Sequence, residues 1–261
     1  MSSETPVREA LVAAYRALLR DGLIVGRAGN VSVRVEGGLL ITPSAVPADE
    51  MRPQDIATVR FDGDHAGRPS SEWRFHRDLM AAREDVAAVV HTHSPNATAL
   101  ATLRRPIPAA HYMVAMARGH EIPVAPYATF GTAALSEAIV ATLDRVDACL
   151  LANHGVVAVG ATLDDAMDLA REVELLATIH RMALSAGEPV ILPADEMDRV
   201  LEAFRGYRRG PAPAPATAKK APAAKAKAAK ANAAKEPAAE EPAPKRKAVR
   251  APRRPRKADG G

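Results

Sequence analysis

The chain reads as an α/β domain whose sheet is at least partly antiparallel, followed by a basic tail. Three observations carry that reading. Strand-like runs and helix-period runs are interleaved over the first 210 residues. The earliest strand-like runs are joined by a short Glu-Gly-Gly turn, as in a hairpin. After Gly210 the composition breaks to Ala, Pro and Lys, with almost no large apolar residue.

A first helix is expected with Thr5 as its cap, Pro6 in its first turn and Gly22 just past its end. Leu11, Ala14, Tyr15 and Leu18 recur on one face. "NVSVRV" (30–35) alternates like a half-buried strand, and "LLIT" (39–42) returns beside it. "DIATVRF" (55–61) is a third strand, followed by the polar turn "DGDHAGRP". A helix is expected to open at Ser71, with Glu72 in its first turn. "VAAVVHTH" (86–93) is a strand and "SPNATALATL" (94–103) a helix. "GTAALSEAIVATLD" (131–144) is a helix capped by Thr132. "ACLLANHG" (148–155) is a strand that "VVAVG" (156–160) can continue. A long helix follows, capped by Thr162, with Gly187 just past its end, and a last helix covers about 194–205.

The charge is divided along the chain. Of its 35 Lys and Arg and 31 Asp and Glu, 14 basic and four acidic residues follow Gly210. A tail of net +10 therefore trails a body of net −6. The 211–261 segment cannot bury enough surface to offset the entropy of ordering it, so it is expected to be disordered. Its Lys/Arg clusters could neutralise nucleic-acid phosphates without sequence preference, but it has no aromatic residue to stack on bases. A solvated, self-repelling extension is the favoured reading. One cysteine, Cys149, excludes an intrachain disulfide. The N-terminal residues are polar and charged throughout, unlike a signal peptide, and no apolar run reaches membrane-span length. A soluble, cytoplasmic protein is expected.

The chemistry concentrates at histidines. In a strand, residues i and i+2 face the same side, so His91 and His93 converge. His154 ends another strand-like run, and Gly155 after it suggests a tight turn. Three imidazoles with an open position suit catalytic zinc. A lone His-x-His pair is common without metal, and His65, His76, His111, His120 and His180 read as surface or packing residues. Ser70 and Ser71 precede a helix start, where hydroxyls and free N–H groups can hold an anion, although a serine there is often only a cap.

"AGNVSVR", "LLITPSAVP", "SSEWRFH", "AVVHTHSPNATA", "IPAAHYMVA", "APYATFGTAALSE" and "LLANHGVVA", in that order over about residues 5–207, resemble the class II aldolase/adducin family. The resemblance implies a three-layer α/β/α domain over 1–210, with a central, mainly antiparallel sheet. It implies a zinc-dependent lyase assembled as a homotetramer, with active sites between subunits. It makes His91, His93 and His154 the zinc ligands and Glu72 the catalytic carboxylate. Gly29, Asn30, Ser44, Ala45, Ser70 and Ser71 fall on phosphate-binding positions. Tyr112 matches a tyrosine contributed across an interface, and Phe130, Phe204 and Tyr207 match residues near the aldehyde end. Three positions depart: Ser44-Ala45 where threonine–glycine is usual, Arg27 for a small polar residue, and Asn153 where a histidine can stand.

Cleaving a carbon–carbon bond beside a carbonyl leaves an enediolate, which needs an electron sink. The first lysine is Lys219, so the body offers no Schiff-base lysine. A metal sink agrees with three histidines and an open position. The resemblance points to cleavage of a ketose 1-phosphate, such as L-fuculose 1-phosphate, into dihydroxyacetone phosphate and a small aldehyde. Other reactions suit the same scaffold: pentulose-phosphate 4-epimerisation, dehydration of a sulfur-containing sugar phosphate, or cleavage of a 5-deoxypentulose phosphate. A non-catalytic, adducin-like interaction protein is the reading from another class. The retained histidines, Glu72 and Tyr112 weigh against it.

Overall fold

In a computed structural model, the structure describes residues 4–208, with side chains through residue 205. The expected tail over 211–261 lies outside the described residues. Among the described residues there are ten strands and six α-helices. They run α1 (Thr5–Arg20), β1 (Asn30–Val35), β2 (Gly38–Ile41), β3 (Ala57–Arg60), β4 (His65–Ala66), α2 (Trp73–Ala82), β5 (Ala88–Thr92) and α3 (Pro95–Thr102). Then come β6 (Ile107–Pro108), β7 (Glu121–Ile122), β8 (Val124–Ala125), α4 (Ala133–Thr142), β9 (Ala148–Leu151), β10 (Gly155–Gly160), α5 (Leu163–Ala186) and α6 (Ala194–Arg208).

Eight strands form one sheet in the order β4-β3-β2-β1-β5-β10-β9-β8, antiparallel except for the β8–β9 edge. Alternation along the strands splits the core in two. Val31, Leu40, Val90, Val156 and Ala158 join α1, α3 and α5 on one face. Leu39, Ile41, Val59, Val89 and Val157 join Phe75, Leu79 and Met80 of α2 and Leu135 and Ile139 of α4 on the other. The three-layer expectation holds, and so does the mainly antiparallel sheet.

The structure differs from the sequence reading at four places. Thr5 is the first helical residue of α1, not its cap. Glu4 holds the cap position and makes no side-chain capping bond. α2 opens at Trp73 rather than Ser71, with Glu72 at its N-cap. Glu72 caps nothing, because its carboxylate is engaged by His91 and Asn30 instead. "VVAVG" does not extend β9. The chain reverses at Asn153 (φ 55°) into the antiparallel β10, and asparagine is among the few side chains that tolerate this left-handed backbone. The polar turn after β3 contains the edge strand β4, and β6, β7 and β8 went unread because two residues show no periodicity.

Two side chains each tie elements together within one helical layer. Glu174 of α5 accepts from the N–H groups of Asn96 and Ala97, both at 2.9 Å, and so caps α3 where Ser94 does not. Arg83, buried just past α2, donates to the carbonyls of Leu143 and Val146 and reaches Asp85 and Asp147 at 2.7 and 2.9 Å. Arg83→Ala removes the donor from the Leu143 and Val146 carbonyls and leaves the buried Asp147 with only Arg118 of its two guanidinium partners. It should cost about 3 kcal/mol, lowering the thermal midpoint by roughly 6–12 °C in a calorimetric scan.

Candidate metal centre and active-site cleft

His91 lies in the middle of the sheet, fully buried, paired with Asn30 of β1 on one side and Val157 of β10 on the other. His93 is the first residue past β5, and His154 is in the β9–β10 turn. Their ring centroids are 4.8, 4.9 and 5.0 Å apart, and one nitrogen from each lies within 4.8 Å of the others. His91 Nδ1 donates to the Val156 carbonyl at 2.8 Å, and its Nε2 faces His93 Nε2 at 3.0 Å.

Gly155 makes the convergence possible. The tight turn expected there is present over 152–154, but its left-handed residue is Asn153, not Gly155. A Cβ there would stand 2.3 Å from the Thr92 carbonyl oxygen, 2.9 Å from His93 Cδ2 and 3.3 Å from His91 Cε1. Glycine is required for space between β10 and two of the three imidazoles.

Glu72 closes the site. Its Oε2 is 3.2 Å from His91 Nε2 and its Oε1 is 3.4 Å from His154 Nε2. Oε1 is buried without a hydrogen-bond partner. Burial alone would raise this carboxyl. The charge and hydrogen bond of His91, with His154 and Asn30, outweigh it and hold Glu72 well below the usual carboxylate range. Burial, then the charge of His91, holds His93 down at about 4, and the same two effects hold His154 at about 4. Burial opposes charge on His91, but the Glu72 carboxylate beside it raises it overall. Neutral imidazoles are the metal-binding form. His93 and His154 are held in that form and a cation would displace the proton that Glu72 favours on His91, so the three nitrogens, with a carboxylate oxygen lacking a donor, fit a borderline cation such as zinc.

A cleft of about 350 Å³ opens over these groups, lined by Gly29, Asn30, Ser44, Ala45, Ser70, Ser71, Glu72, His93 and His154. All six expected phosphate positions thus meet at one place. The free N–H groups expected near Ser70 are largely spent. Ser70 N–H reaches the Thr42 carbonyl, Trp73 N–H the Ser70 carbonyl, and Ser44 N–H the Arg68 carbonyl. Hydroxyls remain to face an anion. Gly29 (φ 74°) would drive a Cβ to 2.6 Å from the His91 carbonyl oxygen, so only glycine lets β1 start there. Ala45 takes a left-handed φ of 63° with a methyl attached, a backbone that the glycine usual at this position would adopt without strain.

Phe130 and Tyr127 stand exposed at the cleft mouth, and Arg27 lines it too. Tyr112 does not line it. It is half exposed on the 3-10 turn Tyr112–Ala117, stacked on His111, in a separate groove with Met113, Val200 and Phe204. The Tyr207 side chain lies outside the described residues. The sequence reading missed His76, taken for a surface or packing residue. It is fully buried beneath the site, held down at about 3 chiefly by burial, and bonded to Asn30 and Ser32. Its spacing of four from Glu72, one helical turn, was the available signal.

Gly155→Ala should push β10 away from the Thr92 carbonyl of β5 and displace the rings of His91 and His93. We expect bound metal, measured by elemental analysis, to fall at least tenfold, the scale set by disturbing ligand orientation.

The family described as Class II Aldolase and Adducin N-terminal domain matches residues 9–181. A 5-methylthioribulose-1-phosphate/5-deoxyribulose-1-phosphate aldolase of Rhodospirillum rubrum is 54% identical over 207 residues, covering 78% of this chain and 94% of that protein. An L-fuculose phosphate aldolase of Escherichia coli K12 is 46% identical over 193 residues, covering 73% and 90%. Among solved structures, an L-fuculose 1-phosphate aldolase superposes with a TM-score of 0.75 at 38% identity, covering 78% of this chain and 98% of that one. The chain belongs to the class II aldolase and adducin family, and within it is a class II aldolase.

Proposed function

We propose that the protein cleaves a 5-deoxypentulose 1-phosphate, with hydrogen or methylthio at C5, between C3 and C4. The products are dihydroxyacetone phosphate and a two-carbon aldehyde. The observation that carries the aldol chemistry is the convergence of three imidazoles beside a buried carboxylate, one of whose oxygens has no donor. His91, His93 and His154 would hold a zinc ion. When bound, it serves as a Lewis acid that withdraws electrons from the substrate carbonyl.

The protein's own groups do the rest. The hydroxyls of Ser44, Ser70 and Ser71 anchor the phosphate, so that its binding energy orients the reacting carbons, while the Asn30 amide, its donors spent on Glu72 and Ser70, acts from behind them. Arg27, the only guanidinium lining the cleft among the described residues, adds a charge-assisted contact. In the condensation direction the ionised Glu72 accepts a proton from the hydroxymethyl carbon of dihydroxyacetone phosphate. In cleavage it hands that proton back to C3. Tyr112, remote from the cleft of its own chain, takes the C4 hydroxyl proton from a neighbouring copy in a homotetramer. Phe130 and Tyr127 cover the aldehyde end with apolar surface. The expected domain boundary at residue 210 and a cytoplasmic setting accompany this reading.

The choice of sugar rests on the 54% identity to the R. rubrum protein over nearly its full length. Cleavage of L-fuculose 1-phosphate, the sequence expectation, is the second reading, supported by relatives at 46–47% identity. Release of triose phosphate from 5-deoxyribulose 1-phosphate, 5-methylthioribulose 1-phosphate and L-fuculose 1-phosphate separates them. The first two should be turned over at least tenfold better by kcat/KM, and Glu72→Gln should abolish turnover on all three while keeping its metal. Equal or better use of L-fuculose 1-phosphate would reverse the assignment. Wild-type turnover in Glu72→Gln would remove Glu72 from proton transfer.

Arg27→Ala should raise KM for the phosphorylated substrate roughly tenfold, the loss of one exposed charge-assisted contact, with kcat nearly unchanged in steady-state assays.

A further inference from the structure

The hydrogen bonds behind Glu72 support a role for His76, and that role rests on the aldolase reading above. His76 is fully buried on α2, one turn after Glu72, with its ring stacked on Phe75 at 4.4 Å. It does not line the cleft. Both ring nitrogens are engaged: Nδ1 faces Ser32 Oγ at 2.7 Å, and Nε2 faces Asn30 Oδ1. A carbonyl oxygen only accepts, so Nε2 carries the proton and donates. Nδ1 then accepts from the Ser32 hydroxyl.

This polarity orients the Asn30 amide. With Oδ1 turned to His76, Nδ2 donates to Glu72 Oε2 at 3.1 Å and to Ser70 Oγ at 2.9 Å. Turned over, the amide would set its oxygen against the Glu72 carboxylate, acceptor against acceptor in a buried site. Ser70 Oγ also accepts from Glu72 N–H at 3.3 Å. With two donors already directed at that oxygen, the Ser70 proton is left to donate into the cleft.

We propose that His76 is a positioning residue. As a fixed Nε2–H tautomer it sets the Asn30 amide, which holds Glu72 as a proton acceptor and Ser70 as a hydroxyl donor to the substrate phosphate. One buried imidazole thereby couples the carboxylate that moves the proton to the group that anchors the far end of the substrate. His76 touches neither end and acts only through Asn30.

The test uses the metal-loaded full chain with His76→Leu, His76→Gln and Ser32→Ala. The readout is exchange of the hydroxymethyl proton of dihydroxyacetone phosphate with solvent deuterium, without aldehyde, which isolates the Glu72 step. His76→Leu should slow exchange and cleavage together by roughly 10–100-fold at unchanged metal content. Glutamine, whose amide N–H can reach Asn30 Oδ1, should recover most of both. Ser32→Ala, which frees the tautomer, should cost a few-fold. Wild-type exchange in His76→Leu with only a lowered thermal midpoint would overturn the proposal. So would a folded, metal-bearing His76→Gln as slow as the leucine variant. A wild-type protein that neither exchanges nor cleaves would count against the aldolase reading instead. Protection of the Asn30 Nδ2 protons in NMR then decides the positioning role by itself: present in wild type and His76→Gln, it should be lost in His76→Leu, and its persistence there would overturn the role.

Discussion

The site depends on the pairing of β5 with β10. That pairing puts the Val156 carbonyl against His91 Nδ1 and Gly155 against the rings of His91 and His93. A slip of one residue would turn His91 to the opposite face of the sheet and replace it with a valine or threonine. The register is well specified, because both faces of β5 and β10 are buried under helices and any slip would misplace two apolar sets at once. The fold's packing energy, distributed over some dozens of side chains, thereby fixes three nitrogen atoms whose close approach is unfavourable in itself.

The same constraint explains the electrostatics. A carboxylate and a fully buried imidazole would each avoid charge if isolated in the interior. Placed 3.2 Å apart they stabilise each other's ionised forms, which is why Glu72 is held low and His91 is raised although burial opposes both. The remaining polar groups form a chain from Ser32 through His76 and Asn30 to Ser70 and Glu72 in which nearly every donor meets an acceptor. The one oxygen left over, Glu72 Oε1, lies on the side of the histidines. A satisfied network ending in a single unsatisfied atom beside three nitrogens has the character of a binding site rather than of a packing defect.

Much of this was legible in the sequence. Period-two runs gave the hairpin of β1 and β2, and caps at Thr132 and Thr162 marked α4 and α5, because those signals are local. The convergence of His91 and His93 followed from strand geometry alone. Closing the triad with His154 needed a contact across 61 residues, and no local pattern encodes that. Glu72 was placed in a first turn by its sequence, whereas tertiary hydrogen bonds drew its carboxylate away from the helix end. His76 looked ordinary because a lone histidine on a helix is usually ordinary. Its importance comes from partners on β1, more than 40 residues earlier. Gly155 was noticed for the wrong reason: glycine there yields space, which depends on a neighbouring strand, rather than a backbone angle, which depends on the chain itself.

The division of the site between rigid and loop elements accounts for what similarity can and cannot identify. Asn30, His91 and His76 sit on β1, β5 and α2, locked by sheet pairing and helix packing, and His93, His154 and Glu72 stand at the ends of elements in that same frame. Tyr127, Phe130, Ser44, Ala45 and Arg27 sit on connections between elements, where side chains change at little cost to the core. Arg27, Ser44-Ala45 and Asn153, the positions at which this chain departs from its family's pattern, all fall on such connections, whereas the three histidines are pinned by the pairing of β1, β5 and β10. A likeness that spans this frame therefore identifies the class of chemistry, and it says least about the loops, where side chains can change without disturbing the core.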